Sequence, residues 1–361
     1  MKIYYITNVR VPNARAHSLQ VLYTCDALAT EGAEVTLIVP RYPGARAEAA
    51  FASAGLPSRF RIRYLPALVL PFSIPFSFPL LTFTFAISVR VFLLRHRGYD
   101  FLYSRGDMAL FLPRRRLVWE SHIKPERLGL YLPLMRHALR TVVVTDAYRR
   151  ELAERYGIPA ERICLAPDGV ALEHFAHLPS REEAREELGL PLGTRLVVYS
   201  GSAPAWKGVD TLREAAKLLP EDYVVALIGK HPAGERLYTP GMVANTEVPR
   251  WLAAADALVS TAAPGSEIAE RYTSPLKVFE YLASGRPIVA ADTISHREVL
   301  DEAVARFYRP GSAESLAEAI RAAVETETQD ASRAERAKNL AKRYSWRERA
   351  RAIFASITPT R

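Results

Sequence analysis

The chain has 361 residues, 49% of them hydrophobic and 24% charged, which is enough apolar material for two α/β cores and excludes wholesale disorder. Its net charge of +9 sits in one half: residues 1–170 carry 23 Lys and Arg against 13 Asp and Glu, residues 171–361 carry 25 against 26. Such a field attracts nucleic acid, an anionic membrane or an acidic substrate, but no arginine-rich tail or zinc-finger spacing accompanies it, so no nucleic-acid partner is expected. Cys25 and Cys164 are too few for a disulfide framework or a four-thiolate metal site, and MKIYYITNVR enters a strand with no export signal, so a cytoplasmic location is expected.

Ile3 to Thr7 reads as a buried strand, and the apolar positions Leu19, Leu22, Cys25, Leu28 and Ala29 then change the period to that of a helix. Gly32 ends the helix and Glu34 to Val39 forms the next strand, closing a βαβ unit. Further strands are predicted at Phe101–Ser104, Arg116–Trp119 and Val142–Thr145. The turn in LAPDGVALEHF and the charged run REEAREELGL mark a domain boundary. The alternation restarts with strands at Leu196–Ser200, Tyr223–Ile228, Ala257–Ser260 and Pro287–Ala290, and a last helix spans Ala334 to Ile357. The prediction is a first domain of residues 1–168, with 346–361 packing back on it, and a second of residues 169–345.

Residues 64–89 hold no charged side chain, a run long enough to cross a bilayer. Pro66, Pro71, Pro75 and Pro79 argue against a straight span and leave only about Leu80 to Leu94 for regular helix. Phe72, Ile74, Phe76 and Phe78, with Arg59, Arg61, Arg63, Arg90, Arg95 and Arg97, fit either a loop touching an anionic membrane through residues 59–97 or a buried core and lid.

The stretch YTSPLKVFEYLASGRPIVAAD places Ser274 and Pro275 at a helix start, Lys277 and Glu280 in its first turns, and Gly285 at its stop. Open amides at a helix start bind phosphate, and a carboxylate one turn further in suits the vicinal hydroxyls of a ribose. A surface Glu280 and a simple Ser274 cap fit the same spacing. In VVYSGSAPAWKGVDTLREA, Gly201 and Ser202 follow a strand and Lys207 precedes a helix starting near Val209, where a cation can neutralise a diphosphate; an exposed loop lysine is the plainer alternative.

Together these stretches resemble the retaining glycosyltransferases of family four, in their SPLK-x-FEY subgroup. The resemblance also rests on ITNVRVPNARAHSLQ, EVTLIVP, VWESHIKP, APDGVALEHF, PRWLAAADALVS and YSWRERA, in that order along nearly the whole chain. It implies the GT-B architecture: two doubly wound, Rossmann-like α/β domains facing across a cleft, with the C-terminal helix returning to the first. It places the diphosphate lysine on Lys207, the ribose glutamate on Glu280, phosphate-binding amides on Leu276 and Lys277, and the base beside the backbone of Met242 and Val243. His122, with His17 near the same point, is then expected to face the transferred sugar. The implied donor is a UDP- or GDP-linked sugar acting as substrate, with no other cofactor, and the acceptor is a glycan or a lipid-linked molecule. No metal is expected, since the chain has no Asp-x-Asp signature.

Two departures stand out. Tyr272 occupies the place of the first glutamate of the family's pair, and GSAPAWKG lacks the arginine that many members carry beside the lysine; Glu267, Glu270 and Arg271 are candidate substitutes. A nucleotide-sugar epimerase and a non-catalytic binding protein are the alternatives.

Overall fold

Each short apolar run followed by a helical period becomes a strand and its crossover helix. The computed structural model describes residues 1–13, 15–71, 73–325 and 331–358; Phe72 and residues 359–361 of the expected returning segment lie outside them. The chain divides into two units, Met1–Pro167 with Trp346–Arg361, and Asp168–Ser345.

The first unit is built from β1 (Lys2–Ile6), α1 (Ala16–Thr30), β2 (Glu34–Pro40), α2 (Ala47–Ala54), β3 (Arg61–Leu65), α3 (Ser77–Arg95), β4 (Phe101–Arg105), β5 (Leu117–Ser121), α4 (Leu128–His137), β6 (Arg140–Val143), α5 (Asp146–Glu154) and β7 (Ile163–Leu165). Its seven strands are all parallel, in the order β3-β2-β1-β4-β5-β6-β7. The chain leaves β1 toward one edge and returns at β4 toward the other, so the loop after β1 lies at a switch point, where doubly wound sheets hold their ligands.

The second unit holds α6 (Arg181–Leu188), β8 (Arg195–Ser200), α7 (Val209–Leu218), β9 (Tyr223–Ile228), β10 (Leu237–Gly241), α8 (Val248–Ala253), β11 (Ala257–Ser260), α9 (Glu267–Arg271), α10 (Leu276–Ser284), β12 (Ile288–Ala291), α11 (Ile294–Arg297), β13 (Ala305–Tyr308), α12 (Ala313–Glu325) and α13 (Ala331–Arg343). Six parallel strands run β10-β9-β8-β11-β12-β13, with the switch point between β8 and β11. Both sheet faces are buried, one under Leu252, Val278 and Leu282, the other under Leu212, Leu316 and Ile320. The final helix, α14 (Trp346–Ile357), belongs to the first unit, where Trp346 stacks on Tyr23 with ring centroids 5.5 Å apart.

Three expectations are corrected. The single helix from Ala334 to Ile357 is two helices, because the chain extends at Ser345 to bridge Val170. The strand expected at Val142–Thr145 runs from Arg140 to Val143; Thr145 is instead the N-cap of α5, its side chain accepting from the Tyr148 amide. The apolar helix starts at Ser77 rather than near Leu80, since Pro79 falls in its first turn, where amides lack partners and a missing N–H costs nothing.

Candidate active site

In the second unit the ends of β8, β9 and β10 are tied in a row. The Gly201 amide donates to Ile228 O (2.9 Å), and the Gly229 amide donates to Gly241 O (2.9 Å). Met242 and Val243 follow at once, the first 64% exposed and the second packed on the core. A Cβ on Gly229 would stand 2.5 Å from Gly201 O, so only glycine fits there. His231 Nε2 donates to the same oxygen at 2.7 Å, holding the turn that presents Gly201 and Ser202.

Lys207 ends the short turn Ala205–Lys207 and is followed by Gly208 at φ +62°, where a Cβ would meet the Ala262 backbone at 2.6 Å. That close approach, with the Ala263 amide donating to Trp206 O (3.0 Å), pins the lysine's turn to the end of β11. Lys207 Nζ donates to Ser202 Oγ at 3.2 Å, and burial lowers its pKa from the usual lysine value.

Helix α10 begins after Pro275, which offers no side-chain cap, and the Leu276 and Lys277 amides make no hydrogen bond among the described residues. Ser274 is buried just before it; its Oγ accepts from the Asp168 amide at 3.0 Å rather than capping the helix. Tyr281 locks α10 to the sheet, its hydroxyl accepting from the Ser200 amide (3.1 Å) and donating to Val259 O (3.3 Å). Lys277 Nζ turns back over the Tyr199 ring, 3.4 Å from its centroid, and is buried without a hydrogen-bond partner. Burial and the nearby Lys207 charge put its pKa well below the ordinary lysine range. Glu280 is half-buried and hydrogen-bonded to no group among the described residues; burial, opposed by Lys277, raises its pKa to about 7. The structure therefore brings Gly201, Ser202, Lys207 and Lys277 together, with Glu280 about one turn along α10.

Tyr272 is buried, and its hydroxyl donates to Glu267 Oε1 at 3.0 Å. Glu270 instead accepts from the Ile294 amide at the start of α11 (3.2 Å), and Arg271 is exposed. Of the three candidate substitutes, Glu267 is the one coupled to the tyrosine.

In the first unit the two histidines share one environment. His17 lies in the first turn of α1, its pKa pushed down to about 4 by burial and then by Arg105, Arg15 and His122. Just past β5, His122 Nδ1 lies 3.2 Å from Glu120 Oε1; the ionised carboxylate only accepts, so Nδ1 carries the proton. Glu120 is fully buried and also accepts from Gln20 Nε2 (2.6 Å) and Tyr103 Oη (2.7 Å), with Arg349 of α14 at 3.1 Å. Burial alone would raise its pKa, but Arg349, His122 and Arg105 outweigh it and hold the carboxyl well below the usual range. Sequence reasoning missed this carboxylate, although its signal was present in VWESHIKP: positions two apart along a strand share a face.

Two doubly wound parallel units with their polar clusters at the strand ends define a GT-B type α/β protein. Residues 18–174 match the family described as Glycosyltransferase Family 4, and residues 194–326 that described as Glycosyl transferases group 1. The chain belongs to the glycosyltransferase group 1 family. It is 32% identical over 162 residues to TuaC of Bacillus subtilis, a glycosyltransferase assigned to teichuronic acid biosynthesis, the match covering 43% of this chain and 39% of TuaC. It is 37% identical over 130 residues to the D-inositol 3-phosphate glycosyltransferase of Nocardiopsis dassonvillei, covering 34% and 29% of the two chains. The matched stretch thus spans well under half of either relative's length. Among solved structures, the fold resembles Anabaena HepE in complex with UDP, with a TM-score of 0.75, 19% identity and 99% of both chains covered.

Proposed function

We propose that this chain is a retaining, metal-independent glycosyltransferase that moves a sugar from a UDP- or GDP-linked donor to a hydroxyl of a glycan or lipid-linked acceptor. One observation carries the reading: Lys207, the Gly201 turn and the uncapped start of α10 meet at a switch point, with the unbonded Glu280 one turn beyond. In it the amides of Leu276 and Lys277 and the Lys207 ammonium hold the diphosphate, Glu280 accepts from the ribose hydroxyls, and the backbone at Met242 and Val243 meets the base. UDP bound to the similarly folded HepE supports a uridine donor.

As the glycosidic bond breaks, charge grows on the diphosphate oxygen, and Lys207 stabilises it where it forms. The acceptor hydroxyl attacks from the face the diphosphate is leaving, and a phosphate oxygen takes its proton, so no enzyme carboxylate forms a covalent intermediate. His122, oriented by the Nδ1–H it gives to Glu120, meets a hydroxyl of the transferred sugar, with His17 neutral beside it at pH 7. Thermal-shift measurements with UDP, GDP, ADP and their common sugars test the reading. A rise in melting temperature with one diphosphate and its sugars is expected; no shift with any of them would overturn it.

In the same proposal the acceptor is met at the cytoplasmic face of a membrane, in cell-surface polysaccharide, glycolipid or other glycoconjugate synthesis. Along α3 and the residue before it, Phe76, Phe83, Ile87 and Leu94 are 81%, 57%, 51% and 64% exposed and recur at helical spacing. Residues 49–99 contain six arginines and no Asp or Glu. Among the described residues Arg90, Arg95 and Arg97 pair with no carboxylate, a combination that suits an anionic bilayer better than a buried lid. Flotation with liposomes containing anionic lipid, lost in Phe83→Glu, is the expected result; equal recovery with neutral and anionic vesicles would remove the membrane from the account.

A further inference from the structure

The mechanism above uses Lys277 only through its backbone amide, yet its side chain is the least explained group in the second unit. A Cβ placed on Gly201 would lie 3.4 Å from Lys277 Nζ and 3.7 Å from Lys207 Nζ, so two ammonium groups approach one glycine from two different elements. Glu280 acts on Lys277 electrostatically but without ion-pair contact. Among the described residues neither makes an ion pair with a carboxylate, and Lys277 Nζ is buried with only the Tyr199 ring face beneath it. A cation over a tyrosine face gains about 0.5–2 kcal/mol, well short of the several kcal/mol that burying an unpaired ion costs. Like charges held together in a dry place, with no carboxylate in contact and with open helix amides beside them, make a site completed by a multiply charged anion.

We propose that the Lys277 side chain is a second diphosphate-binding cation, acting with Lys207 across Gly201 in place of the arginine that GSAPAWKG lacks. The inference rests on the nucleotide-sugar reading and adds a residue and a proton to it. With its pKa held low in the ligand-free protein, Lys277 regains its full charge when a dianion arrives, so binding draws a proton from solution. The other groups around it are Lys207, Glu280, His231 and His296. At pH 8 Glu280, raised to about 7, is ionised, while the two histidines, both lowered, are neutral. The uptake lost in a variant without the Lys277 ammonium belongs to Lys277, and any that persists belongs to Lys207, Glu280 or the histidines.

Lys277→Met separates the roles, since it keeps an unbranched stem on Tyr199 and removes the charge. Titration calorimetry at pH 8 in two buffers of different ionisation enthalpy would follow UDP or GDP, whichever binds the wild type, and ligand-detected NMR would follow the matching nucleoside. The expected result is a diphosphate affinity at least tenfold weaker in the variant, about 1.4 kcal/mol, smaller proton uptake, nucleoside affinity within threefold, and an undiminished melting temperature without ligand. Diphosphate affinity within threefold of wild type, an equal loss for the nucleoside, or a variant that fails to fold would each overturn the role. If neither diphosphate binds the wild type, the nucleotide-sugar reading falls and takes this inference with it; binding that Lys277→Met leaves intact sinks the inference alone.

Discussion

Arg349→Met probes the electrostatic centre of the first unit. Glu120 is fully buried and Arg349 4% exposed, and among the described residues the guanidinium is the one permanent positive charge in ion-pair contact with that carboxylate. Removing one partner of a buried pair costs about 3–5 kcal/mol, because the other is left as a desolvated charge. Three hydrogen bonds from Gln20, Tyr103 and His122 remain on Glu120, so the loss belongs near the lower end of that range; the bond from Arg349 to Thr24 Oγ1 (3.1 Å) goes as well. Urea unfolding at pH 7 would show it as a lower midpoint for the transition containing this unit. The pH dependence fixes the cause. In the wild type the folded pKa of Glu120 is depressed, so its contribution is present above the unfolded value of about 4.3 and fades as pH falls through the folded one. In the variant burial wins, the carboxyl is protonated at milder acidity, and the deficit against wild type shrinks from pH 7 to pH 5. A deficit under about 1 kcal/mol at pH 7, or one that grows toward pH 5, would refute the assignment of Arg349 as the counter-charge.

Four further outcomes are expected. Lys207→Ala and Glu280→Ala each lower kcat/KM for transfer at least tenfold, about 1.4 kcal/mol at the transition state; wild-type rates with either would remove it from the site. His122→Ala loses turnover but keeps nucleotide affinity, and a calorimetric titration showing lost affinity would move the histidine to the nucleotide. Glu267→Gln, which leaves the hydrogen bond from Tyr272 possible but removes the charge, is expected to cut kcat at least tenfold while the Kd for UDP or GDP stays within threefold; unchanged kcat would show that the carboxylate plays no part at the sugar. Chelator leaves transfer rates unchanged, and loss of activity restored by a divalent ion would contradict the metal-independent mechanism.

What the sequence made legible follows the burial of each strand. All nine strands read from apolar runs lie inside the sheets, covered on both faces, where a near-continuous run of Val, Ile, Leu and Ala is required. The four it missed, β3, β7, β10 and β13, are the four sheet edges. An edge strand pairs on one side only and tolerates charged residues or proline, such as Arg61 and Arg63 in β3 and Pro240 in β10, so its period is obscured. The same physics sorted the site. The turns that carry Lys207 and the α10 amides were legible because glycines and a proline mark strand-to-helix turns, whereas the roles given to Lys207 and Glu280 came from the family resemblance. Glu120, Arg349 and His231 were not legible, because each acts through a partner distant in sequence: Glu120 and Arg349 are joined only when α14 returns, and His231 finds Gly201 only when β8 and β9 pair.

The two units handle buried charge in opposite ways, and the difference bears on the missing glutamate. In the first, the carboxylate Glu120 is matched within the protein by Arg349 and its donors, and it in turn orients His122. In the second, Lys207 and Lys277 converge on Gly201 with no carboxylate in ion-pair contact among the described residues, and a tyrosine stands where the family's first carboxylate would. Tyr272 keeps a carboxylate on the same short helix but at one remove, holding Glu267 through its hydroxyl. An acid placed directly among the lysines would neutralise them without ligand and weaken their pull on a diphosphate. In the proposed mechanism the rest of the balancing charge is left for the donor to bring, and binding energy is thereby concentrated on the group whose charge increases as the sugar departs.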